Sequence, residues 1–90
     1  MSEEQTEENF GEEVGEITHY FTNVQVAVVK LSGTLKKGDN IRVKGATSDF
    51  TQKADSMQID RKDIEEANSG QEIGMKVKEH ARQGDKVYRI

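Results

Sequence analysis

The chain has 90 residues with 13 basic and 17 acidic side chains, and it contains neither cysteine nor proline. That length supports one domain with one small core, and the missing cysteines exclude a disulfide framework or a thiolate metal site. No apolar run approaches the roughly 18 residues of a membrane-spanning helix, and the N-terminus is acidic where a leader would be basic, so a soluble cytoplasmic protein is expected.

The acids are unevenly placed. Glu3, Glu4, Glu7, Glu8, Glu12, Glu13 and Glu16 all fall in the first 16 residues, which hold no Lys or Arg. The remaining residues carry 13 basic and 10 acidic groups, a net charge of +3. Residues 1–13 therefore read as a disordered, self-repelling acidic arm, and 14–90 as a mildly basic domain.

Strand signals begin at Val14 and run to Phe21 through Ile17, Thr18 and Tyr20. After Thr22-Asn23 comes Val24–Leu31, the most apolar run, whose four valines favour a strand over a short helix. Lys37-Gly38-Asp39 marks a turn. Residues 40–44 then alternate, with Ile41 and Val43 on one face and Arg42 and Lys44 on the other. Phe50–Ile59 reads as a further strand region, and Asp63–Ala67 as one helical turn ending at Asn68-Ser69-Gly70. Ile73, Met75 and Val77 form an inward face opposite Gly74, Lys76 and Lys78; Gly84-Asp85 turns the chain into a closing strand from Val87 to Ile90. Six short strands without a long helix suggest an all-β sandwich or barrel. A closed, mainly antiparallel barrel is preferred because closure hides sheet edges.

Three segments carry a family resemblance: Gly33–Ile41 with its Lys-Lys-Gly-Asp turn, Ser56–Ile59, and Ala67–Met75 with Gly70 and Gly74. Together they resemble the second domain of translational GTPases such as elongation factor Tu. The resemblance implies a non-enzymatic binding module that docks on ribosomal RNA, tRNA or a translation-related protein in protein biosynthesis. It implies no GTPase activity here, because Asp39-Asn40 stands where a P-loop needs Lys-Ser/Thr. Gly45–Ile59 followed by the Gly70 turn carries a looser resemblance, to the C-terminal accessory barrel of collagenase-like peptidases, some of which act in tRNA or rRNA hydroxylation. That alternative implies a protein-interaction subunit with an apolar contact patch near the barrel mouth.

Lys36, Lys37, Arg42, Lys44, Lys76, Lys78 and Arg82 are the candidate RNA-binding residues, since outward strand positions could align them into a phosphate-contacting stripe. The same residues would equally suit a solvated strand face. His19 and His80 lie 61 residues apart without a local third ligand, so no metal site is expected. Neither the acids at Asp60, Asp63, Glu65 and Glu66 nor a Ser56, His19 and Asp55 combination follows a catalytic motif. No cofactor, bound nucleotide or membrane partner is expected.

Overall fold

Side-chain alternation builds this fold. The computed structural model describes residues 11–90, and among them ten strand segments follow one another without a helix. The longer ones are β1 (Glu12–Phe21), β2 (Val26–Leu31), β4 (Asn40–Lys44), β5 (Asp49–Lys53), β9 (Glu72–Lys76) and β10 (Lys86–Arg89). Between them lie β3 (Leu35–Lys36), β6 (Met57–Ile59), β7 (Lys62–Asp63) and β8 (Glu66–Ala67). Eight strands form one curled sheet in the order β5-β4-β10-β1-β2-β9-β6-β7, and β3 pairs separately with β8. Every pairing is antiparallel. The all-β, small-barrel expectation holds.

The inward positions are those the alternation marks. Ile41 and Val43, Ala27, Val29 and Leu31, and Ile73, Met75 and Val77 are all buried, with Val14, Ile17, Met57 and Val87 among them. Each fully buried Val, Ile, Leu or Met side chain contributes about 1.5–3 kcal/mol.

A side chain draws the β5 end of the sheet toward β9. Gln52 Nε2 on β5 donates to the Lys76 carbonyl at 3.0 Å, and Gln52 Oε1 accepts from the Lys78 N–H at 2.8 Å. An amide side chain offers one acceptor and a donor pair, so it can stand in for a strand's backbone groups.

Three turns share one construction. In Lys36–Asp39, Asn68–Gln71 and Arg82–Asp85 the fourth residue's N–H donates to the first residue's carbonyl, at 3.0, 3.1 and 3.1 Å. The fourth side chain accepts from the first residue's N–H at 2.9, 2.7 and 3.0 Å. The third residue is glycine, with φ of +93° at Gly38, +93° at Gly70 and +96° at Gly84. Only glycine takes such values without a steric penalty.

Several elements depart from expectation. Asp63–Ala67 is extended rather than helical: Ile64 N–H donates to the Met57 carbonyl at 3.0 Å, and Ala67 pairs with Leu35. One turn of helix cannot offset its own nucleation cost, whereas strand pairing satisfies the same backbone groups. The Phe50–Ile59 region is broken after Lys53, where Ala54 turns back to bond Asp39 and Gly38. β1 begins at Glu12, because Glu12 meets Arg89 at 2.6 Å, while Lys86 lies 3.6 Å from Glu13 and 3.3 Å from Glu16. Apart from Gly11, Glu12 and Glu13, the expected acidic arm lies outside the described residues.

Candidate functional site

The outer face beside the β1–β2 hairpin is apolar where a small barrel normally shows polar groups. Register places Phe21 opposite Val26 and His19 opposite Val28, and Val28 faces Gly74 on β9. Phe21 and Val24 are 52% and 56% exposed. Val26 and Val28 are half-buried. Gly74 lies mid-strand rather than in a turn, and a Cβ there would meet Val26 Cγ1 at an ordinary 3.4 Å. Its missing side chain therefore leaves an open floor between β2 and β6. The resulting groove, about 650 Å³, is bordered by Phe21, Val24, Val26, Gln58, Asp60 and Arg61.

The loops that border this groove are built without glycine. Val24 N–H closes a turn on the Phe21 carbonyl at 3.3 Å, and Gln25 follows in the left-handed region with φ of 57°. Gln25 is held there by its carbonyl, which accepts from Val77 N–H at 3.0 Å. Asp60 and Arg61, with φ of 53° and 66°, form the two-residue link between Ile59 and Lys62. Positive φ at both central residues is the hairpin turn that ordinarily calls for Asn-Gly. Left-handed non-glycine residues cost on the order of 1–3 kcal/mol each, and such strain gathers at functional surfaces.

The basic residues are spread over several elements. In the sheet order β4 and β9 are separated by β10, β1 and β2, while the Gln52 bonds bring β5, the neighbour of β4, to Lys76 and Lys78. Arg42 makes two bonds to Asp49, 2.8 Å from Nε and 2.9 Å from a terminal nitrogen, with Lys44 Nζ 3.7 Å away. Hydrogen bonding from Arg42 holds Asp49 below the usual carboxylate range, and the same bond raises the Arg42 guanidinium. Lys86 is raised chiefly by its bond to Glu16 and by the charge of Glu13. Lys76 and Lys78 instead border a depression at the Gln52 seam, together with Lys53 and Asp55. Lys36 and Lys37 sit at the β3–β4 turn, and Arg82 opens the turn before β10.

The other singled-out residues are scattered as well. Asp55 and Ser56 line the seam, whereas His19 borders a different depression. Asp63 accepts from Gln58 Nε2 at 2.9 Å. Among the described residues no three His, Cys, Asp or Glu side chains gather as metal ligands. Ile17 is buried and His19, two residues on, stands outside, because the β1–β2 register shifts between them; the His19 ring lies 6.3 Å from that of Phe21. His80 packs on Tyr20, ring centroids 4.6 Å apart. No sequence signal brought the two histidines together; the structure places both at one depression.

No protein-family model matches the chain. A Methanocaldococcus jannaschii protein named only as an uncharacterized protease is 38% identical over 77 residues, covering 84% of this chain and 19% of that protein. A collagenase of Porphyromonas gingivalis is 37% identical over 79 residues, covering 86% of this chain and 22% of the collagenase. The chain thus spans about a fifth of the length of the curated relatives it matches. Two structures of the C-terminal domain of a Geobacillus thermoleovorans protein named as a U32 peptidase share the fold. Each has a TM-score of 0.82 at 20% identity; they cover 87% and 88% of this chain, and 99% and 92% of their own.

These findings correct the likeness to elongation factors and to protein biosynthesis: the matching proteins are named as proteases, collagenases and a U32 peptidase. They leave the ribosomal RNA or tRNA partner without support, and they favour the collagenase-like alternative. The reason is physical. Two of the three segments that carried the likeness, 33–41 and 67–75, are the glycine turns Lys36–Asp39 and Asn68–Gln71 with their flanks. Those residues are set by backbone geometry and say little about a ligand. As for the membrane, among the described residues no helix is long and apolar enough to cross one.

Proposed function

We propose that this chain is a non-catalytic accessory barrel that docks on the catalytic body of a peptidase- or collagenase-like protein. The observation that carries the reading is the match itself: 37–38% identity confined to about a fifth of each relative's length. The other four fifths of those relatives are the natural occupant for an exposed surface on this fifth. The apolar groove beside the β1–β2 hairpin is the docking face, with Phe21 and Val24 as anchors. Exposed aromatic and aliphatic anchors gain most when a partner buries them, and their contribution resists salt. The Arg42–Asp49 and Lys86–Glu16 pairs lie elsewhere, and the charged side chains at this face are Asp60 and Arg61 at its border.

The test is to measure binding of the chain to the Porphyromonas gingivalis collagenase, both whole and lacking its matching segment, at low and high salt. Salt-tolerant binding to the shortened form, weakened at least about tenfold by Phe21→Asp with Val24→Asp, is expected. Binding that disappears at high salt, or is indifferent to these substitutions, would count against the reading.

A further inference from the structure

The depression beside His19 is separate from the apolar groove and has different chemistry. It measures about 320 Å³ and is bordered by His19, Thr22, His80, Arg82 and Gln83, over Tyr20 and Ala81. No carboxylate borders it. Among the described residues no ion pair engages the Arg82 guanidinium. The polar side chains here supply guanidinium, imidazole, hydroxyl and amide donors.

Independent features of the backbone hold in place the segments that carry these donors. The register shift between Ile17 and His19 is a β-bulge, a device that re-aims a side chain, and here it turns His19 outward. The opposite wall is fixed at several points. Ala81 is fully buried, and His80 rests on the Tyr20 ring. Gly84 N–H donates to the Ile17 carbonyl, and Ile17 N–H donates to the Asp85 carbonyl, both at 2.8 Å. Buried Asp85 accepts from the Arg82 N–H at 3.0 Å. The turn that carries Arg82 is thereby tied to the strand that carries His19.

We propose that this depression binds a compact oxyanion, a carboxylate or a phosphate. A guanidinium presents paired N–H groups that match either anion, and neighbouring imidazole and hydroxyl donors can satisfy its remaining lone pairs. The site stands on its own geometry and does not depend on the peptidase reading.

The experiment is an amide chemical-shift titration of the full chain with inorganic phosphate, and in parallel with a short peptide bearing a free or an amidated C-terminus. Saturable shifts centred on Thr22, His80, Arg82 and Gln83 are expected with at least one oxyanion. A response to the free but not the amidated peptide identifies a carboxylate site, and a response to phosphate alone identifies a phosphate site. Arg82→Gln should weaken binding at least about fivefold, while Lys53→Gln, at the Gln52 seam and outside this depression, should leave it unchanged. The unperturbed remainder of the amide spectrum checks that Arg82→Gln stays folded. No saturable shift at these residues with any probe, or equal binding by Arg82→Gln and the parent chain, would overturn the proposal.

Discussion

Three turns of this barrel and the two loops beside its apolar groove solve the same problem of chain reversal in different ways. At Lys36–Asp39, Asn68–Gln71 and Arg82–Asp85, glycine takes the left-handed position and a side chain caps the first N–H. At the groove, Gln25, Asp60 and Arg61 take left-handed values that glycine would take more cheaply. The glycine turns are relaxed and hold the frame. The groove loops carry strain together with exposed Phe21 and Val24, and stability has been given up where surface chemistry is on offer.

Substitutions can break that comparison or sharpen it. The largest effect belongs to the frame: a Cβ at Gly45 would overlap the carboxylate of buried Asp85, which caps the Arg82 turn. Gly45→Ala is expected to destabilise the fold by about 3 kcal/mol in urea unfolding. Next comes the seam. Gln52→Ala removes the bonds to Lys76 and Lys78 and should cost about 2 kcal/mol by the same measurement, with faster amide exchange at Lys78. A loss near zero would show that the seam is incidental.

The two kinds of turn should then respond with opposite signs. Gly38 has open space around its Cα but a φ of +93°, so Gly38→Ala should lower stability by about 1 kcal/mol. Arg61→Gly should raise it by up to about 1 kcal/mol, read as a rise in Tm of a few degrees. Equal and like-signed changes would remove the distinction between relaxed frame and strained groove.

The smallest effect lies at the exposed Arg42–Asp49 pair. Asp49 is depressed by the Arg42 hydrogen bond, so its contribution is present above the unfolded carboxylate value, about 3.9. It is lost as pH falls through the folded value. Asp49→Asn should therefore melt slightly below the parent at neutral pH, with the difference vanishing in strong acid. A thermal melt series across pH reads this directly.

Much of the frame was legible in the sequence. Alternation over 41–44 and 73–77 gave the inward faces, and the glycines at 38, 70 and 84 gave the turns, because both signals are local. The groove was harder to read. Asp60-Arg61 lacks the Asn-Gly signature of the turn it makes, so the β6–β7 hairpin was invisible. The role of Gln52 depends on where β9 passes, and the placing of His19 and His80 at one depression depends on a bulge and a distant loop. Which basic residues are neighbours was not legible either, because sequence pattern does not give strand order: Arg42 and Lys44 lie on β4, and β5 with its Gln52 bonds lies between them and Lys76 and Lys78.

The most direct test of the docking account is amide hydrogen exchange of the chain, alone and with the Porphyromonas gingivalis collagenase lacking its matching segment. The account predicts new protection over residues 21–26 and 58–61, with β4 and β5 unchanged. Protection confined to β4 and β5, or none at all under conditions where binding is saturated, would contradict it.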